Sequence, residues 1–114
     1  MSEARLKTEF WVQACIRRGN AAGIAVTVVH KGDATRGSVL VKLNRLGAGC
    51  TVLAETQDAR GLRAWIRGTG AEPVAEAAAD DYIARNRKYD PDLWVIEVED
   101  REGRLPFEGT ILSL

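Results

Sequence analysis

Leu6, Phe10 and Ala14, with Val12, Cys15 and Ile16 beside them, recur at helical spacing through "LKTEFWVQACIRRGNAAG", while Lys7, Glu9, Gln13, Arg17 and Arg18 fall between them. The pattern predicts an amphipathic helix. Thr8 is a candidate N-cap, Arg17 and Arg18 suit a last turn, and Gly19 or Gly23 can end the helix in a left-handed conformation.

From Gly23 the period changes. "IAVTVVHK" is rich in β-branched residues and predicts a strand, with "KGDATRG" as the turn after it. "SVLVKLN" puts Val39, Val41 and Leu43 on one side of a second strand; "RLGAGC" turns, and "CTVLAE" makes a third. "LRAWIRG" alternates Leu62, Ala64 and Ile66 against Arg63, Trp65 and Arg67, a fourth strand. "PVAEAAADDYIARNRK" is a second helix, with acidic residues near its start and Arg85, Arg87 and Lys88 near its end, as the helix dipole favours. Asp90-Pro91 stops it. "DLWVIEVED" returns to period two, with Trp94, Ile96 and Val98 opposite Leu93, Val95, Glu97 and Glu99.

Short links between successive strands favour antiparallel pairing. The expectation is therefore one α+β domain over residues 1–114, a mostly antiparallel sheet of four to five strands in the order α-β-β-β-β-α-β, with the two helices packed on one face. The 16 basic and 16 acidic residues leave no net field to draw the chain to nucleic acid or an anionic membrane. The amino terminus has no apolar core of signal-peptide length, and the two cysteines, Cys15 and Cys50, sit in no Cys-x-x-Cys pair or Cys/His cluster. A cytoplasmic location, with both thiols reduced and no resident metal or cofactor, is expected.

Two blocks, "EFWVQACIRRGNAAGIAVTVVHKGDATRGSVLVKLNRL" and "YDPDLWVIEVEDREGR", together resemble a small alphaproteobacterial family catalogued as domain of unknown function 1491. The resemblance implies a small cytosolic protein of such bacteria. It brings no catalytic residue with it, because the family has no assigned activity.

Three functional readings compete. The leading one is a non-enzymatic binding or assembly domain, a homodimer or a partner of another protein, using an apolar patch that includes Trp11 and the edge strand; three tryptophans and the lack of a catalytic set support it. The alternative is a weak single-stranded nucleic-acid binder: Arg63, Trp65 and Arg67 project from one side of a strand, where guanidinium groups hold phosphate and the ring stacks a base, and Arg17 and Arg18 would enlarge the patch. The last is a metal-assisted hydrolase built on Asp90, Asp92, Glu97 and Glu99, whose spacing in a strand argues for a solvated acidic face instead. His30, the only histidine, is placed by alternation on the face of Ile24, Val26 and Val28, with no partner visible.

Overall fold

The structure is a computed structural model that describes residues 6–112. Its elements run α1 (Thr8–Ala22), β1 (Ala25–His30), β2 (Val39–Asn44), β3 (Cys50–Gln57), β4 (Arg63–Arg67), α2 (Glu76–Tyr89), β5 (Trp94–Glu99) and β6 (Thr110–Leu112). The strands form one sheet in the order β1-β5-β2-β3-β4-β6. The pairs β1–β5, β2–β3 and β3–β4 are antiparallel, while β2–β5 and β4–β6 are parallel. The sheet is thus mixed and six-stranded among the described residues, rather than mostly antiparallel with four or five strands.

The reason lies in β5. Leu93, Trp94, Val95, Ile96 and Val98 are all buried, and a strand apolar on both faces needs neighbours on both sides and cover above and below. It therefore inserts between β1 and β2, which the short-link argument made neighbours. The segment 31–38 that separates them is a crossing loop: Thr8 and Glu9 of α1 donate backbone N–H groups to Thr35 and Ala34, and Trp94 Nε1 donates to the Asp33 carbonyl at 2.7 Å.

The helices cover opposite faces of the sheet, not one. Val12 and Cys15 of α1 pack with Val39, Val41, Leu53, Trp65, Trp94, Ile96 and Val98. Ala79 and Ile83 of α2 pack with Leu40, Cys50, Val52 and Val95. Those two sets are the alternate positions of the same strands, so the period-two pattern had two cores to fill.

Local chemistry sets the helix ends. Lys7, not Thr8, is the N-cap of α1, and the Thr8 hydroxyl instead donates to the buried Gly37 carbonyl at 2.7 Å. Gly23 closes α1 with φ of 73°, a conformation glycine adopts without Cβ strain. Pro73 and Val74 precede α2, where Val74 forms a bridge with Cys50. No helix among the described residues is long and apolar enough to cross a membrane.

Candidate functional site

β1 lies at one margin of the sheet and pairs with β5 alone among the strands. Residues 25–29, Ala-Val-Thr-Val-Val, carry no charge, and Val28 and Val29 remain 37% and 54% exposed. Edge strands are ordinarily protected from pairing by charge, proline or brevity. This one has six residues and none of the first two protections.

Its end carries a bulge. The register with β5 shifts between Val28 and His30, so that His30 faces Val95. Simple alternation would leave His30 on the α1 face with Val28; the bulge re-aims it toward α2. There the Arg87 guanidinium approaches His30 Nδ1 to 2.9 Å. A guanidinium only donates, so Nδ1 accepts and the ring proton of this pair sits on Nε2.

Behind β1, two adjoining depressions form a groove along α2. One, of about 340 Å³, is lined by His30, Ala84, Arg87, Lys88 and Pro91. The other, of about 200 Å³, shares Ala84 and Arg87 and adds Val29, Lys42, Val95 and Glu97 among its lining residues. The first end is basic, the second a balanced ionic network.

That network centres on Lys42, whose residue is 5% exposed. Its Nζ donates to Glu76 at 2.7 Å and Asp80 at 2.8 Å, with Glu97 at 3.8 Å. Glu97 also accepts from the Asn44 side chain at 3.2 Å. Burial alone would lower the Lys42 pKa; the hydrogen bonds to Asp80 and Glu76 and the charge of Glu97 outweigh it and hold the ammonium above the ordinary lysine range. Lys42 and Glu97 are register partners on β2 and β5, and α2 supplies the other two carboxylates. The arrangement satisfies a buried cation.

The residues singled out from sequence fall elsewhere. Trp65 is fully buried, with its ring 5.6 Å from Trp11 and 5.0 Å from Phe107 between centroids. It has no face open to a nucleic-acid base, because β4 is covered by α1 and by the segment that returns through Phe107. Its Nε1 has no hydrogen-bond partner among the described residues. Trp11 is half-buried in the same cluster, so the exposed apolar ring of α1 is Phe10, not Trp11. Arg63 turns inward to Trp11 and to Glu55, while Arg67 at the other end of β4 and Arg17 and Arg18 on α1 are exposed. The basic residues do not frame a stacking surface.

The four carboxylates of the metal reading also separate. Glu97 joins Lys42, Glu99 is exposed on β5, and Asp90 accepts the Asp92 backbone N–H at 3.1 Å in the turn before the strand. Among the described residues no three His, Cys, Asp or Glu side chains gather as metal ligands.

An edge strand belongs to the sequence reading, but the groove behind β1 does not, because a bulge leaves only a faint mark in a β-branched run. "VVHKG", where apolar alternation breaks into two consecutive valines before the histidine, was the available signal.

Comparison with known proteins places the fold. No curated protein matches the chain. The crystal structure of a DUF1491 family protein from Caulobacter crescentus CB15 superposes with a TM-score of 0.84 at 37% identity, over 95% of this chain and 100% of that one. An NMR structure of a DUF1491 family protein from the same organism gives 0.83 at 37% identity, over 97% and 100%. The solution structure of protein Atu0922 from A. tumefaciens gives 0.73 at 26% identity, over 93% and 97%. The family model described as "Protein of unknown function (DUF1491)" matches residues 6–108, and the chain belongs to that family.

Proposed function

We propose that the protein is a non-enzymatic assembly module of the cytoplasm that pairs with a second copy of itself through the outer rim of β1. The observation that carries this reading is the uncharged, valine-bearing edge strand left open beside a well-covered sheet. A two-fold axis at the strand centre lays two copies of β1 antiparallel, so the same rim serves both subunits. Pairing satisfies the outward N–H and C=O groups and covers Val28 and Val29 in part.

Charge favours a second copy over an ionic partner. The rim is neutral over residues 25–29 and the chain has zero formal net charge, so neither local nor long-range repulsion opposes self-association. The free, buried thiols of Cys15 and Cys50 suit a reducing compartment. Trp11, half-buried against Trp65 and Phe107, is left out of the interface.

A seam of six residues is short, so the dimer dissociates on dilution. Sedimentation velocity over a concentration series tests this, with Thr27→Lys as the variant: Thr27 is exposed near the strand centre, and two lysines would meet across the axis. The expected result is a concentration-dependent dimer for the unmodified protein and a monomer throughout for Thr27→Lys. A strict monomer at every concentration would overturn the reading.

A further inference from the structure

We propose that the basic end of the groove between α2 and β1 binds the phosphate group of a small molecule. The site differs from the outer rim of β1 and stands whether or not the rim pairs.

Three donors line one concavity. Arg87 spends one N–H on His30 Nδ1 at 2.9 Å and keeps its other guanidinium hydrogens; His30 keeps Nε2–H; Lys88 adds an ammonium. No carboxylate lines this depression. Neither Arg87 nor Lys88 forms an ion pair among the described residues.

The plain alternative is that Arg87 and Lys88 only complement the carboxyl-terminal dipole of α2, in whose last turn they lie. That accounts for their charge. It does not account for the bulge that turns the histidine onto Arg87, nor for the hollow between them. A lone basic turn needs neither.

The donor geometry selects the anion. An arginine fork, an imidazole N–H and an ammonium approach the hollow from two different elements, β1 and α2. A carboxylate offers two oxygens in a plane; a phosphate offers three around a tetrahedron, matching donors from separate directions. The floor of Ala84 and Pro91 and the volume of about 340 Å³ leave room for an apolar ring or short chain beside the phosphate.

The test is a ¹H–¹⁵N NMR titration of the full chain with phenyl phosphate, inorganic phosphate and benzoate. Saturable shifts centred on His30, Arg87 and Lys88 are expected, with phenyl phosphate binding more tightly than either probe that carries only one of its two parts. Arg87→Gln should weaken binding by about tenfold, the loss of one charge-assisted hydrogen bond. Lys88→Gln, at an exposed position, should weaken it in the same direction and guards against a local folding defect in the first variant. Shifts that fail to saturate, that spread equally to Arg17 and Arg18, or that persist unchanged in both variants would overturn the proposal. Equal or tighter binding of benzoate would overturn the phosphate assignment.

Discussion

The Arg63 guanidinium lies 4.6 Å from the centre of the Trp11 ring while its Nε donates to Glu55 at 3.0 Å. Glu55 is itself nearly buried, with its side chain 5% exposed, and its other oxygen accepts the Val39 backbone N–H at 3.0 Å. One cation therefore joins α1, β3 and β4 over the aromatic cluster. Arg63→Met keeps the apolar stem and removes the charge from beside a buried carboxylate. We expect a loss of about 2 kcal/mol in stability, read from urea unfolding followed by tryptophan fluorescence. Arg63→Lys should recover only part, because an ammonium cannot lie flat on the ring while donating sideways. An unchanged midpoint in both variants would show that the stacking carries no energy.

Gly19 reverses the usual rule for glycine inside a helix. Alanine there ordinarily stabilises by about 1 kcal/mol. In this fold a Cβ at position 19 would stand 2.5 Å from Val26 Cγ2 and 2.9 Å from the Ile24 carbonyl, where the chain doubles back from α1 into β1. Gly19→Ala is expected to destabilise by about 1–3 kcal/mol through overpacking. Thermal unfolding checks the sign: a rise in midpoint would mean that α1 can lift from β1 without cost.

Much of the element list could be read from residue periodicity, because local signals wrote it: the stripe of Val12 and Cys15, the alternation of Val39 and Val41, the proline after Asp90. Strand order was not legible in the same way. The parallel pairing of β2 with β5 follows from Trp94 and Val95 being apolar in succession, a mark of burial on both faces that reads as alternation when only one core is assumed. β6, three residues long, offers no period to detect. Whether Trp65 is exposed was not legible, because Arg63 and Arg67 on its side of the strand can either frame an open ring or cover it; the ring is buried, and Arg63 folds inward onto Glu55 and Trp11. The groove depends on a bulge and on the approach of α2, which are tertiary facts.

Asp100 closes the turn after β5. Its carboxylate accepts the Arg104 backbone N–H at 2.7 Å and the Arg104 guanidinium at 2.9 and 3.2 Å. The side-chain and backbone hydrogen bonds from Arg104 hold its pKa below the ordinary aspartate value of 3.8. A depressed carboxyl pKa stabilises the fold above the unfolded value, and that contribution fades as pH falls through the folded one. Asp100→Asn should therefore be less stable than the parent at neutral pH, with the two stabilities converging in acid below the ordinary aspartate value. Parallel curves down to the lowest pH measured would remove the carboxylate from the account.

Both cysteines should be silent to thiol reagents while the protein is folded. Burial pushes the Cys15 thiol up to about 12, against the opposing charges of Arg18 and Arg63, and burial also raises Cys50. The thiolate is the reactive form, so labelling at neutral pH requires opening. We expect no modification by an aromatic disulfide reagent over minutes in buffer, and two equivalents at once in denaturant. Rapid labelling of one thiol in the native protein would reveal local opening over α1 or at the start of β3.

Lys42 ties stability to alkaline pH. Its folded pKa lies above the ordinary lysine value of 10.5 because Asp80, Glu76 and Glu97 outweigh its desolvation. A raised cationic pKa gives stability that is fully present below the unfolded value and is lost as pH rises through the folded one. Lys42→Met leaves three carboxylates facing one another without their cation. Glu76 and Asp80 are more than half exposed, so water screens part of the repulsion. The expected cost at neutral pH is about 2 kcal/mol, below that of breaking a fully buried pair. Adding Glu97→Gln to Lys42→Met should return part of it, since Glu97 is the least exposed of the three acids. The difference between parent and Lys42→Met should stay constant up to about pH 10 and then shrink, as the parent alone loses a charged partner. A difference that stays flat through that range would show that the network packs α2 onto the sheet by shape rather than by charge.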